Sequence, residues 1–169
     1  MTTASVAIVL GSDSDWPEVE PGYRMLAELG VQAEVEVISA HRAPDRLREY
    51  VISAENRGIR VFIAAAGMSA ALPGAIAAQT IRPVIGIPVA TGALQGIDSL
   101  LSMVQMPPGV PVATVAIGSA GARNAAILAA QMLALQDPAT AEGLKKLKRK
   151  QVESVDKSSQ ALRERLSRG

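Results

Sequence analysis

The chain is predicted to be an α/β protein in which a five-stranded parallel sheet carries helices on both faces, followed by a C-terminal helical extension. Three observations lead there. Five short aliphatic or β-branched runs recur along the sequence, segments of helical spacing separate them, and strand and helix alternate five times. A run that is apolar at nearly every position marks a strand buried on both faces, which is the parallel-sheet pattern. Right-handed crossovers then distribute the helices over the two sides.

Taken in order, the strands are read at Ser5–Leu10, Ala33–Ile38, Val61–Ala65, Val84–Val89 and Val112–Ala116. Helical spacing is read over Glu18–Leu29, Asp45–Arg57, Pro73–Gln79 and Asp98–Gln105, and then over the longer Ala122–Leu135. Pro138 interrupts the pattern, and Ala141–Leu166 is rich in Lys, Glu, Arg and Gln with sparse leucines and valines. The chain therefore divides into an α/β domain, residues 1–138, and a helical tail outside the main core, residues 139–169. The tail has too few leucines for a core of its own. Its stripe of Leu144, Leu147, Val155 and Leu162 is expected to pack on a neighbouring subunit.

Composition excludes several functions. A length of 169 residues fits one domain with a sizeable core. A net charge of +1 gives no pull toward nucleic acid or anionic membrane, and the scattered Trp16, Tyr23, Tyr50 and Phe62 build no base-stacking platform. The absence of cysteine removes disulfides, thiolate nucleophiles and cysteine metal sites. With a single histidine the usual zinc ligand sets are unavailable too, which leaves magnesium on carboxylates open but unsupported. Apolar runs break well before the roughly 18 residues of a membrane span, and Met1-Thr-Thr-Ala-Ser-Val6 has no basic segment leading into a cleavable apolar stretch. A cytoplasmic protein is expected.

In an open parallel sheet the ligand site lies beyond the carboxyl ends of the strands, so the loops there carry the chemistry. The first is Gly11-Ser-Asp-Ser-Asp15, whose amides and hydroxyls suit a phosphate and whose Asp15 suits sugar hydroxyls; equally, Ser14 or Asp15 can simply cap the first helix. The second, Ser39-Ala-His-Arg-Ala-Pro44, holds the only histidine beside an arginine. Histidine is the one side chain that ordinarily titrates near neutral pH, so His41 is the candidate proton carrier, against the plainer reading of a surface or capping residue. Arg42 suits a phosphate. The third, Ala66-Gly-Met-Ser-Ala-Ala-Leu-Pro-Gly74, is small enough to let backbone approach a ligand, or to be only a tight turn. Two more small-residue loops, 90–99 and 117–124, complete five at one edge.

Several blocks in one order, Gly11-Ser-Asp-Ser-Asp-Trp16, Ser39-Ala-His-Arg42, Leu72-Pro-Gly74, Asp98-Ser-Leu-Leu-Ser102, Val104-Gln-Met-Pro107, Gly109-Val-Pro-Val-Ala-Thr114 and Asn124-Ala-Ala126, resemble class I N5-carboxyaminoimidazole ribonucleotide mutases of the AIR carboxylase family, over about Val6–Leu135. The resemblance implies a three-layer α/β/α sandwich with a flavodoxin-like sheet, a homo-octamer with sites at subunit contacts, and a C-terminal helix that reaches a neighbour. It implies transfer of a carboxylate from the exocyclic nitrogen of the ribonucleotide to carbon 4 of its ring, with no ATP, metal or organic cofactor. A functional link to the ATP-dependent synthetase that makes this substrate is a further expectation. By the same resemblance His41 shuttles protons, while Ser12, Ser14, Asp15 and Arg42 bind the ribonucleotide. Ser39 and the Gly67–Gly74 loop, with Met68 and Ser69, enclose the migrating carboxylate.

Two positions depart from the family pattern. Ala71 stands where a second histidine is usual, which removes a hydrogen-bonding group, and Ala43 stands where threonine is usual. The alternatives are a class II-like carboxylase that uses free carbon dioxide, whose loop typically has lysine after the histidine where this chain has Arg42, and a non-catalytic nucleotide-binding module.

Overall fold

A computed structural model describes residues 4–167; Met1–Thr3 and residues 168–169, the outer ends of the two expected segments, lie outside the described residues. Five strands, β1 (Val6–Leu10), β2 (Ala33–Val37), β3 (Val61–Ala66), β4 (Val84–Pro88) and β5 (Ala113–Thr114), form one sheet in the order β2-β1-β3-β4-β5. Every neighbouring pair is parallel, with Val6 opposite Ala33 on one side and Val61 on the other. The helices are α1 (Trp16–Glu28), α2 (Pro44–Asn56), α3 (Leu72–Ala77), α4 (Ile97–Val104), α5 (Gly118–Ala134) and α6 (Pro138–Ser167), and one 3-10 turn, Asp13–Asp15, leads into α1.

Alternation along each strand divides the core into two layers. Val6, Ile8 and Leu10 of β1 join Ile63 of β3 and Ile85 and Ile87 of β4 against α1 and α5. Ala7 and Val9 of β1 and Phe62 and Ala64 of β3 face α2, α3 and α4 through Leu47, Val51, Leu72, Ile76 and Met103. Burial on both faces is what makes β1, β3 and β4 read as unbroken apolar runs.

Both edge strands differ from the sequence expectation. Residues 33–36 of β2 are only partly buried, and Val37 is exposed. Its Glu34 pairs with Arg57 and accepts a 2.7 Å hydrogen bond from the Tyr50 hydroxyl, while Glu36 pairs with Arg46. Charge on an edge strand discourages the addition of another chain's strand. At the opposite edge β5 is two residues long rather than Val112–Ala116. Pro111 supplies no amide donor just before it, and one further bond, from Val115 N–H to the Gly86 carbonyl at 3.1 Å, ends the ladder.

Much of the expected fifth loop is helix, because α5 begins at Gly118. A Cβ on Gly121 would lie 1.6 Å from the Ala116 carbonyl oxygen, so glycine is what lets this helix start so close to the strand. Further along, Ala122, Ala125, Ala126, Ala129 and Ala130 make a fully buried stripe at helical spacing. Small residues there bring α1 into contact with α5 at Gly22.

Pro138 starts α6 instead of interrupting it. Asp137 caps this helix, accepting from Ala139 N–H at 3.0 Å and from the Thr140 hydroxyl at 2.6 Å, and a proline needs no partner for its missing N–H in the first turn. The tail is also less separate than its composition suggests. Thr140 is buried, and Leu144 and Leu147 pack partly buried on this chain's own core. Beyond them Val152, Val155, Leu162 and Leu166 are exposed. No described helix is long and apolar enough to cross a membrane.

The contact between α1 and α5 leaves no room for a side chain at Gly22. A Cβ on Gly22 would sit 2.5 Å from the Ala122 carbonyl oxygen, which is backbone and cannot swing aside. Gly22→Ala is therefore expected to cost about 1–3 kcal/mol despite alanine's better helix propensity. Urea denaturation of the two proteins checks this, and equal midpoints would show that the helices separate freely.

Candidate active site

The order β2-β1-β3-β4-β5 fixes where a ligand can enter. The chain leaves β1 for β2 on one side and leaves β3 for β4 on the other, so a crevice opens beyond the carboxyl ends of β1 and β3. A cavity of about 480 Å³ lies there. All nine residues selected from the sequence line it: Ser12, Ser14 and Asp15 after β1, Ser39, His41 and Arg42 after β2, and Gly67, Met68 and Ser69 after β3.

The first loop is held by its own polar groups. Gly11 N–H donates to the Ala65 carbonyl at 2.9 Å, which continues the β1–β3 ladder into the loop. Ser12 is the cap of the 3-10 turn: its hydroxyl accepts from Ser14 N–H at 3.3 Å, and the Asp15 carboxylate accepts from Ser12 N–H at 3.2 Å. Asp15 occupies the position that opens α1, but its side chain makes no capping bond to that helix. Neither Ser14 nor Asp15 is thus explained as the side-chain cap of α1.

Ser39 organises the second loop. Its hydroxyl accepts from the backbone N–H and the Nε of Arg42, each at 3.3 Å, which steadies the guanidinium near the cavity. His41 and Arg42 are exposed. Pro44 begins α2, so this loop also needs no side-chain cap. The third loop is strained: Met68 and Ala70 have φ of 57° and 38°, values that side-chain-bearing residues rarely adopt. Such backbone costs about 1 kcal/mol or more per residue and persists only where its surroundings enforce it. Ala71, in the cavity wall, precedes α3 and brings no polar group.

The two remaining loops contribute unequally. From the loop after β4 Thr91 reaches the cavity, and the loop after β5 is not part of its lining. Thr91 was not among the sequence candidates, because a threonine among small residues carries no spacing signal. Glu18 of α1 is a second such residue. Its Oε2 accepts from Ala90 N–H at 3.3 Å, tying the helix after the first loop to the loop after β4.

The acidity of the Asp15 carboxyl is displaced. Burial is the largest cause raising it above the ordinary 3.8; Glu18 and Asp13 push the same way, and the Ser12 N–H opposes them. A carboxyl so placed suits the hydroxyls of a sugar.

Residues 5–154 match the model of the family described as AIR carboxylase. The chain belongs to the AIR carboxylase family. It is 52% identical over 153 residues to the N5-carboxyaminoimidazole ribonucleotide mutase of Pseudomonas aeruginosa, covering 90% of this chain and 94% of that protein. It is 51% identical over 150 residues to the bifunctional purine synthesis protein purC/E of Dictyostelium discoideum, where the match covers 89% of this chain and 15% of that one. The crystal structure of Treponema denticola PurE superposes with a TM-score of 0.85 at 26% identity, covering 93% of this chain and 97% of that one. AIR carboxylase membership accounts for the flavodoxin-like sheet, and it draws attention to the loops that reach the crevice between β1 and β3.

The acidity of Asp15 has a consequence for stability. Because its folded-state value is raised, the folded protein holds this proton more tightly than the unfolded chain does. The associated stability is fully present below about pH 3.8 and is lost as pH rises through the higher folded value. Asp15→Asn keeps an acceptor for Ser12 N–H and removes the buried charge. The variant is expected to melt higher than the parent at pH 7, with the difference shrinking toward zero as pH falls through the carboxylate range. A difference that does not vary with pH would assign it to packing instead.

Proposed function

We propose that this chain converts N5-carboxyaminoimidazole ribonucleotide to 4-carboxy-5-aminoimidazole ribonucleotide, an intramolecular carboxylate transfer in de novo purine (IMP) biosynthesis. The observation that carries the reading is the convergence of the only imidazole, its neighbouring guanidinium, a serine- and aspartate-bearing loop and a small-residue loop on one crevice. Half identity to a named mutase over nine-tenths of the chain supports the same activity. No observation favours the free-carbon-dioxide carboxylase or a non-catalytic module.

The proposed chemistry asks little beyond proton transfer and confinement. The bond from the exocyclic nitrogen to its carboxylate breaks, its electron pair returns to nitrogen, and nitrogen takes a proton. Carbon dioxide stays in the cavity until the electron-rich carbon 4 attacks it, and carbon 4 then releases its own proton. One group can give the first proton and accept the second, and His41 is that group. Arg42, steadied by Ser39, holds the phosphate through charge-assisted donors. Ser12, Ser14 and Asp15 hold the ribose end. Gly67, Met68 and Ser69, with Ser39, close around the carboxylate.

The assembly and its surroundings are part of the proposal. A homo-octamer is supported by apolar faces that this chain does not cover: Ile97, Leu101 and Val104 at helical spacing on α4, and Val152, Val155 and Leu162 on the outer turns of α6. An N-carboxylated amine loses carbon dioxide readily in water, so coupling to the ATP-dependent synthetase that forms it is advantageous. The fusion of a related segment into a longer purine synthesis protein supports coupling of this kind between steps. Action in the cytoplasm rests on the same role.

Two variants separate chemistry from binding. His41→Asn is expected to bind the ribonucleotide and to lose at least about a hundredfold in turnover, the lower end for removal of a general acid/base. Arg42→Ala is expected to weaken binding of the ribonucleotide far more than that of an analogue without the phosphate. Turnover by the asparagine variant close to that of the parent would remove His41 from the mechanism. Equal weakening of both ligands would move Arg42 away from the phosphate.

A further inference from the structure

We infer that Thr91 is the residue that hydrogen-bonds the carboxyl group in transit, holding it over Gly67 while it is detached from the ribonucleotide. The inference rests on the mutase reading above and adds a fourth loop to the site. Its basis is a close fit between the two residues. A Cβ on Gly67 would fall 1.8 Å from the Thr91 hydroxyl oxygen, so that hydroxyl occupies the space a side chain at residue 67 would fill. Both residues line the cavity.

The corner that carries Thr91 is fixed before any ligand arrives. Thr91 N–H donates to the Val89 carbonyl at 2.9 Å, the buried Ser99 hydroxyl donates to the same carbonyl at 3.3 Å, and Ala90 N–H donates to Glu18 at 3.3 Å. These bonds use backbone N–H groups and Ser99, so the Thr91 hydroxyl is not spent on holding its own loop. Gly92, at φ of 76°, brings the same corner against Met68, whose Cγ would be 3.8 Å from a Cβ on the glycine. Thr91 and Gly92 thus back the stretch of the third loop whose backbone is strained at Met68 and Ala70.

A group placed there meets the requirement of the transfer. Between breaking of the carbon–nitrogen bond and formation of the carbon–carbon bond the migrating carbon is covalently free, and the phosphate and ribose contacts no longer restrain it. A hydroxyl donor to one of its oxygens restrains it, and the same donor serves the carboxylate before and after the step. Protons move to nitrogen and from carbon 4 as described, with no oxidant or further reactant.

The test is the ratio of two products from N5-carboxyaminoimidazole ribonucleotide, after subtraction of the enzyme-free decay: the ring-carboxylated ribonucleotide, and aminoimidazole ribonucleotide left when carbon dioxide escapes. Thr91→Val keeps the shape that fills the space above Gly67 and removes the hydroxyl. It is expected to shift the ratio toward the escaped product by about threefold or more, the scale of a lost hydrogen bond between uncharged groups, with the KM for the ribonucleotide changed much less. Thr91→Ser, which restores the hydroxyl, is expected to recover most of the shift. Thr91→Ala removes the hydroxyl by another route and is read the same way if the valine variant does not fold. A parental ratio in a folded valine or alanine variant would overturn the inference and leave Thr91 as a wedge for the loop. Failure of the parent protein to form any ring-carboxylated product would instead overturn the mutase reading.

Discussion

The parallel ladder between β1 and β3 is the interaction on which the site depends. Five residue pairs register the two strands, from Val6 opposite Val61 to Leu10 opposite Ala65, and the Gly11 N–H to Ala65 carbonyl bond carries the pairing one step into the loop. Because β1 turns toward β2 and β3 toward β4, the same ladder that brings the two loops together sends the chain away from the gap between them. A slip of one residue would turn Ile8 and Ile63 to the opposite face and move both loops along the strand axis. The buried alternation on the two faces therefore sets the spacing of the crevice as well as the stability of the core.

Inside that frame, the cavity concentrates features that work against stability. Asp15 is buried with a charge that burial opposes, and Met68 and Ala70 hold backbone conformations that favour glycine. Each of the two strained residues costs on the order of a kilocalorie per mole, against a net stability of roughly 5–15 kcal/mol for a domain. The opposing stabilisation comes from the fully buried strands β1, β3 and β4, which lie directly beneath. Loops that strained need a rigid floor, and the centre of a sheet covered on both faces provides one.

Much of this architecture is legible in the residues because burial and sequence pattern coincide at the centre of the sheet. β1, β3 and β4 are apolar on both faces, so their runs announce them; β2 carries Glu34 and Glu36 because it is an edge, and β5 is cut short where Pro111 gives no donor. The site residues are legible where one type is rare or clustered, as with the single histidine beside Arg42 or the serines and aspartates of residues 11–15. Thr91 and Glu18 are silent by the same measure, since their importance lies in contacts with residues far away in the chain. The division of α6 is equally hidden. Leu144 and Val155 look alike in a sparse stripe, and only the position of α5 decides that one is covered and the other exposed.

The helix starts explain how the crevice keeps its polar side chains available. α1, α2 and α3 each begin with proline in the first or second position, and none has a side-chain capping bond at its first turn. Proline presets the backbone angle of a helix start and brings no N–H that needs a partner. In α6, by contrast, proline is combined with a side-chain cap, and Asp137 is consumed in that role. The loops after β2 and β3 escape this use of their side chains, whereas in the first loop the Ser12 hydroxyl and the Asp15 carboxylate close the 3-10 turn ahead of α1. Ser39, His41 and Arg42 line the cavity while Pro44 starts α2, so in the second loop helix initiation and ligand contact do not compete for the same atoms. That separation lets the second loop act at once as a joint of the fold and as a wall of the site, while the first loop does both with the same two side chains, Ser12 and Asp15.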